Sequence, residues 1–200
     1  MVIFTNFIQM NTTILYPGAF KPLSGAHIYI INKYLQQPNV KNLVLFISPE
    51  KRGDIESNVA FNIAKNVLTD KRIEIILDKN SYSPILAIYR WIEKLDREPG
   101  NYVLASSTKG DDYKRVKEFT KNYSMERFGK NLPTGVNIIE LPIDVEPLKY
   151  QIGERKGTPI SSSNIREDLK NNNFDKFKEN YPFCDIEIVN YIWNNLNKNK

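Results

Sequence analysis

His27 is the single histidine of a 200-residue chain, and its surroundings have the residue types that handle phosphate. It closes the stretch Tyr16–Pro17–Gly18–Ala19–Phe20–Lys21–Pro22–Leu23–Ser24–Gly25–Ala26–His27. The apolar run Thr13–Ile14–Leu15–Tyr16 before this stretch reads as a buried strand, and Ile28 to Leu35 after it reads as a helix. A strand, a Gly/Pro loop and a helix start, in that order, offer unpaired backbone N–H groups and partial positive charge to a phosphate. Gly18 is expected to let a ligand approach the backbone closely. Lys21 adds a cation to the loop, and His27 adds a side-chain donor in the first helical turn. Far downstream, Ile160–Ser161–Ser162–Ser163–Asn164–Ile165–Arg166 leads into another helix. Each stretch also has a plain structural reading. A lone histidine beside such a loop is ordinarily a helix-start or surface residue, and a serine run is ordinarily a helix cap. For Arg166 that reading is a surface cation paired with Glu167 or Asp168.

GAFKPLSGAH resembles the first signature of the nucleotidyltransferase superfamily, roughly G-x-F-x-P-x-H/T-x-G-H. Gly18, Phe20, Pro22 and His27 match it. Ser24 stands at the His/Thr position, and Ala26 replaces a glycine. The Ile160–Arg166 segment is similar to the second signature, I-S-S-T/S-x-[IV]-R. The resemblance covers residues 12 to 170 and implies a Rossmann-like fold. It also implies that Ser24 and His27 contact a nucleoside triphosphate, and that Pro17, Gly18, Ala19 and Phe20 line the nucleotide. Ile160 to Ser163 would then form a helix start holding the leaving phosphates, with Arg166 folding back onto them. His27, Lys21 and Arg166 make up the expected catalytic set. Magnesium is expected to arrive with the triphosphate, held by phosphate and water rather than by the chain. Lys109, Asp111, Asp112 and Arg115 stand where relatives recognise nucleotide or substrate. The form of the second signature is closer to adenylyltransferases for nicotinamide mononucleotide and phosphopantetheine than to cytidylyltransferases. The expected partners are therefore ATP, with CTP as the alternative, and a small phosphorylated acceptor. An inactive nucleotide- or RNA-binding module is the reading from another class.

The elements that must position these residues alternate along the chain. Asn42–Ser48, Arg72–Leu77, Asn101–Ser106 and Gly135–Glu140 read as further strands. Helices are expected around Val59–Leu68, from Ser83–Pro84, and from Asp112 to about Asn122. That alternation predicts an α/β fold with a doubly wound parallel sheet of five strands. Residues 161–171 would carry the second motif. Helices near 173–180 and 185–197 would form a C-terminal extension, residues 171–200, packed on the same domain. Every candidate loop, 17–27, 48–54, 106–112 and 141–163, follows a strand. In such sheets the ligand lies beyond the carboxyl ends of the strands, at the topological switch point. Lys51 and Arg52 leave the second strand and are candidates to grip an anionic acceptor. A solvated charged loop would look the same.

Composition narrows the classes. The net charge of +5 favours anionic ligands, but Lys and Arg are scattered, which does not call for nucleic acid. A single cysteine, Cys184, excludes an internal disulfide and fits a reducing, cytoplasmic compartment. Residues 1–11 lack the pattern of a signal peptide or a membrane span and would be an extra strand or a tail. A homo-oligomer is left open.

Overall fold

Ile14 and Leu15 are adjacent on one strand and belong to different cores, because successive strand side chains point to opposite faces. A computed structural model describes residues 11–94, 96–105, 111–124, 131–141, 143 and 146–198 of the chain. The central strand β1 (Thr12–Gly18) pairs in parallel with β2 (Val40–Ile47) on one side and β4 (Gly100–Leu104) on the other. β3 (Ile73–Ile76) joins β2, and β5 (Val136–Ile138) joins β4, giving the sheet order β3-β2-β1-β4-β5. The chain thus steps outward from β1 to β3, then crosses back to start again at β4. The loops after β1 and β4 diverge there, which opens a crevice at the carboxyl ends of those strands.

Both faces of the sheet are covered, which is why its strands read as continuous apolar runs. Ile14, Leu43, Leu45, Ile47 and Val103 point to one face, where α1 (Gly25–Leu35) and α2 (Ser57–Val67) pack. Leu15, Val44, Phe46, Tyr102 and Leu104 point to the other, under α3 (Pro84–Ile92) and α4 (Asp111–Ser124). Three more helices follow β5: α5 (Ser162–Lys170), α6 (Phe174–Lys178) and α7 (Ile186–Asn197). Their residues Ile165, Phe177, Val189, Ile192 and Leu196 lie in the same core as Ile14 and α1. Trp193 packs edge-on against Phe177 and Phe174, closing that side. Burying a large apolar side chain of this kind contributes about 1.5–3 kcal/mol.

The helix starts follow local chemistry. Ser83 caps α3 by accepting the Leu86 N–H, with Pro84 in the first turn, where its missing N–H costs nothing. Ser161 caps α5 by accepting the Asn164 N–H at 3.3 Å. β5 is shorter than the six-residue run expected. It sits at the sheet edge and pairs with β4 over three positions before the chain turns away. Among the described residues no helix is long and apolar enough to cross a membrane.

Candidate active site

His27 owes its orientation to the helix it starts. Ser24 is the N-cap of α1, and its Oγ accepts the His27 backbone N–H at 3.3 Å. The His27 ring reaches back, and its Nδ1 accepts the Ser24 backbone N–H at 3.1 Å. This is a capping box with histidine in the place usually held by Glu or Gln. Nδ1 is therefore an acceptor, and the neutral ring must carry its proton on Nε2. Burial lowers the His27 pKa to about 4, so the ring is neutral at ordinary pH. The result is a fixed, uncharged N–H donor at a helix start.

Phe20 sets the shape of the loop. Its backbone takes φ 48°, in the left-handed region, and its ring is buried. The ring meets His27 edge-on at 4.9 Å and Tyr16 at 5.2 Å between centroids. A Cβ on Gly18 would stand 2.7 Å from the Phe20 ring. The glycine is thus required by its own neighbour two residues on, a reason the sequence reading did not contain. Ser24, expected to touch triphosphate, is buried, and its hydroxyl serves the cap and lies 2.9 Å from Nδ1 of His27. Pro17, Gly18 and Ala19 remain partly exposed along the loop.

Three segments distant in sequence converge here. Ser48, just past β2, donates its N–H to Gly18 O at 2.9 Å. Arg166, in the first turns of α5, donates through Nη1 to Lys21 O at 2.9 Å and through Nη2 to Ser163 Oγ at 3.2 Å. Its aliphatic part lies against Gly53, where a Cβ would stand 3.3 Å from Cδ. Burial, and then nearby Arg52, lowers the Arg166 pKa. Arg52 also lowers that of Lys21, whose main perturbation is burial. Lys21, Arg52 and Arg166 therefore concentrate positive charge at the carboxyl end of β1 and β2. The Lys21 ammonium donates to the carbonyls of Ser48 and Glu50. Lys51 pairs with Glu56 at 3.0 Å, both side chains about half exposed. A cavity of about 200 Å³ opens beside Arg166, with Gly53, Ile55, Leu169 and Leu196 in its wall. A larger one, of about 420 Å³, lies at the amino ends of the strands, near Thr13, Arg72 and Gly100, away from both motifs.

Asp111 and Asp112 begin α4, after β4, and Arg115 lies exposed on that helix. Lys109 and the loop 106–110 lie outside the described residues, as do residues 1–10 of the N-terminal segment. Glu167 and Asp168 are not partners of Arg166. Both pair with Arg155, Asp168 at 2.8 Å and Glu167 at 3.4 Å.

That Arg155 contact belongs to a buried network missing from the sequence reading. Asp168 also accepts from Asn180 Nδ2 at 3.0 Å, and Tyr150 donates its hydroxyl to Asn180 Oδ1. Hydrogen bonding to Asp168 raises the Arg155 pKa. The network pins α5 to a hairpin-like turn in which Tyr150 N donates to Thr158 O and Ile160 N to Leu148 O. Ile160 is thereby held one residue before the Ser161 cap. Tyr181 adds a second tie, donating to Leu23 O at 2.8 Å within the first motif. No periodicity announces these residues, because Tyr150 and Arg155 lie in irregular chain.

No protein-family model matches the chain. Over 69 residues it is 32% identical to the phosphopantetheine adenylyltransferases of two Coxiella burnetii strains, Dugway 5J108-111 and CbuG_Q212. That match spans 34% of this chain and 42% of the length of those relatives. Among solved structures, it aligns with Plasmodium falciparum nicotinic acid mononucleotide adenylyltransferase complexed with APC. The TM-score is 0.45 at 18% identity, over 96% of this chain and 98% of that one. The same enzyme complexed with NaAD gives a TM-score of 0.46 at 17% identity, over 95% and 98%. The sequence comparison and the two motifs reach the same place: the likeness of this chain is to the nucleotidyltransferase superfamily, among its adenylyltransferases.

Proposed function

We propose that the chain moves AMP from ATP onto the phosphate of a small acceptor and releases pyrophosphate. One observation carries the reading. A neutral histidine with Nδ1 already filled by Ser24 sits in the first turn of α1, just after the loop whose Lys21 carbonyl holds Arg166 from the second motif. An acceptor phosphate is already an anionic nucleophile. Its oxygen forms the new bond to the α-phosphorus while the bond to the α–β bridging oxygen breaks. The bonding pair leaves on pyrophosphate, and no proton need be removed from the acceptor. Catalysis of this kind rests on position and charge neutralisation.

His27 donates its Nε2–H to an oxygen that gains charge as the bridge breaks, and keeps that proton throughout. Arg166 and the free N–H groups at the start of α5 receive the leaving phosphates. Magnesium would enter with the triphosphate and neutralise part of its charge. Among the described residues no group of three or more His, Cys, Asp or Glu is placed to hold a metal, so phosphate oxygens and water would ligate it.

The deciding experiment measures pyrophosphate release with each of four nucleoside triphosphates across a panel of phosphomonoesters, phosphopantetheine and nicotinamide mononucleotide among them. Release that needs ATP and one acceptor supports the reading. Release with CTP alone makes the chain a cytidylyltransferase. Tight triphosphate binding with no release under any pairing makes it a binding module.

A further inference from the structure

Lys21 and Asp168 are the charged residues that the core buries among those described, and Asp168 is neutralised by Arg155. Lys21 is 1% exposed. A buried ammonium is costly unless its N–H groups are satisfied. Here two of its three donors go to the carbonyls of Ser48 and Glu50, the first residues beyond the paired part of β2. The carboxylates of Glu50 and Glu56 oppose part of the desolvation. The backbone carbonyl of the same residue accepts Arg166. One residue therefore ties together the first motif, the β2 exit loop and the helix of the second motif.

We infer that Lys21 is a positioning residue for the second substrate. Its ammonium fixes the loop 48–56 so that Lys51 and Arg52 stand beside the triphosphate, where they receive the anionic group of a phosphomonoester acceptor. It does not ligate the triphosphate, since the side chain is buried and two of its three donors are turned to backbone carbonyls. The ends of the loop are held by Ser48 N–H on Gly18 O at 2.9 Å and by the buried Ile55 side chain, which leaves residues 49–54 to be held chiefly by Lys21. Its own internal bonds are the reciprocal Arg52–Ile55 backbone pair, at 3.2 and 3.3 Å, a long Glu50 N–H to Ser48 Oγ bond at 3.4 Å, and the exposed Lys51–Glu56 ion pair. An ion pair of that exposure contributes little. The inference rests on the transferase reading for its kinetic consequence, but not for its structural one.

The test uses Lys21→Met, which keeps the length and apolar stem of the side chain and removes every donor. In the ligand-free protein, hydrogen exchange of amides 50–56 should quicken by about tenfold or more, while amides of α1 keep their protection. In steady state the KM for the acceptor should rise by about tenfold and that for ATP should stay within about twofold. Adding Lys51→Ala and Arg52→Ala to the Met variant should raise the acceptor KM little further, because the loop is already released. A higher KM for ATP with loop exchange unchanged would overturn the inference and make Lys21 a phosphate ligand. Should the Met variant fail to fold, Lys21→Gln retains an amide NH2 on a shorter stem and should give intermediate loop exchange with ATP KM unaltered. If the wild-type protein transfers nothing, the transferase reading fails by itself. The exchange experiment still decides: faster loop exchange upholds the strap, and unchanged exchange sinks it.

Discussion

At the scale of single residues, the informative fact about His27 is that its protonation is settled by its own helix start. A backbone N–H occupies Nδ1 and burial holds the pKa near about 4. Two outcomes are expected. His27→Ala should lower kcat by about 10²–10³ with ATP affinity largely kept, because the lost contact strengthens only as charge develops. Single-turnover kinetics beside ATP titration separates the two effects, and near wild-type turnover would exclude the mechanism. The other outcome is a pH dependence of stability. The folded pKa lies below the ordinary value of 6.5, so the unfolded chain takes up the proton first. The stability owed to the neutral ring is complete above pH 6.5 and is lost as pH falls toward about 4. Its size is on the order of 2 kcal/mol, below the full shift because His27 as a residue is only partly buried. Urea denaturation at about pH 7 and about pH 4.5 should show a smaller drop for His27→Asn than for wild type. Equal drops would mean that the ring is not held neutral. Arg166 differs in kind. It faces phosphates charged in ground and transition states alike, so Arg166→Ala should raise the KM for ATP and lower kcat together. Arg166→Lys should not restore it, since an ammonium lacks the fork that reaches both Lys21 O and Ser163 Oγ.

At the scale of elements, the second motif works only if α5 is aimed. Ser161 caps the helix, but capping alone sets no direction. The direction comes from the Arg155–Asp168–Asn180–Tyr150 network and from Ile160 held on Leu148. Arg155→Met should leave the Asp168 carboxylate buried with the Asn180 amide as its remaining partner. The expected loss is about 3 kcal/mol of stability, seen in equilibrium denaturation. Adding Asp168→Asn removes the orphaned charge and should recover part of that loss, a non-additivity of the kind expected inside one network. Simple additivity would show that Arg155 acts from the surface alone. Gly25 belongs to the same theme. A Cβ there would meet Asn180 O at 2.4 Å, so the start of α1 and the turn after α6 are in backbone contact.

At the scale of the whole molecule, two cores share one sheet, and the helices after β5 complete one of them. The positive groups gathered at the carboxyl edge of that sheet favour a polyanion. Titration with ATP and magnesium should raise the melting temperature more than CTP and magnesium does, since a ligand bound only by the native state stabilises by mass action. A larger shift with CTP would replace adenylyl by cytidylyl transfer and leave the fold untouched.

Residue order alone was enough for the α/β class, the five strands, the helix starts at Ser83 and Ser161, and the two motifs. Each of these depends on contacts within a few residues or on a period of two or 3.6, which a linear sequence displays. It was also enough to put every candidate loop after a strand. Tertiary structure decided where the donors point. Lys21 read as a loop cation free to meet phosphate, yet its ammonium ends on carbonyls 27 and 29 residues away. Gly18 read as room for a ligand, and the room is filled by Phe20. The plain alternative for Arg166, a surface cation paired with Glu167 or Asp168, is not what forms: Arg166 bonds to a carbonyl 145 residues distant, while Arg155 takes those carboxylates. Long polar side chains reach several ångströms in any direction, and their partners are chosen by desolvation and geometry in the packed chain. No local period records that choice, so it exists only once the three segments have been brought together.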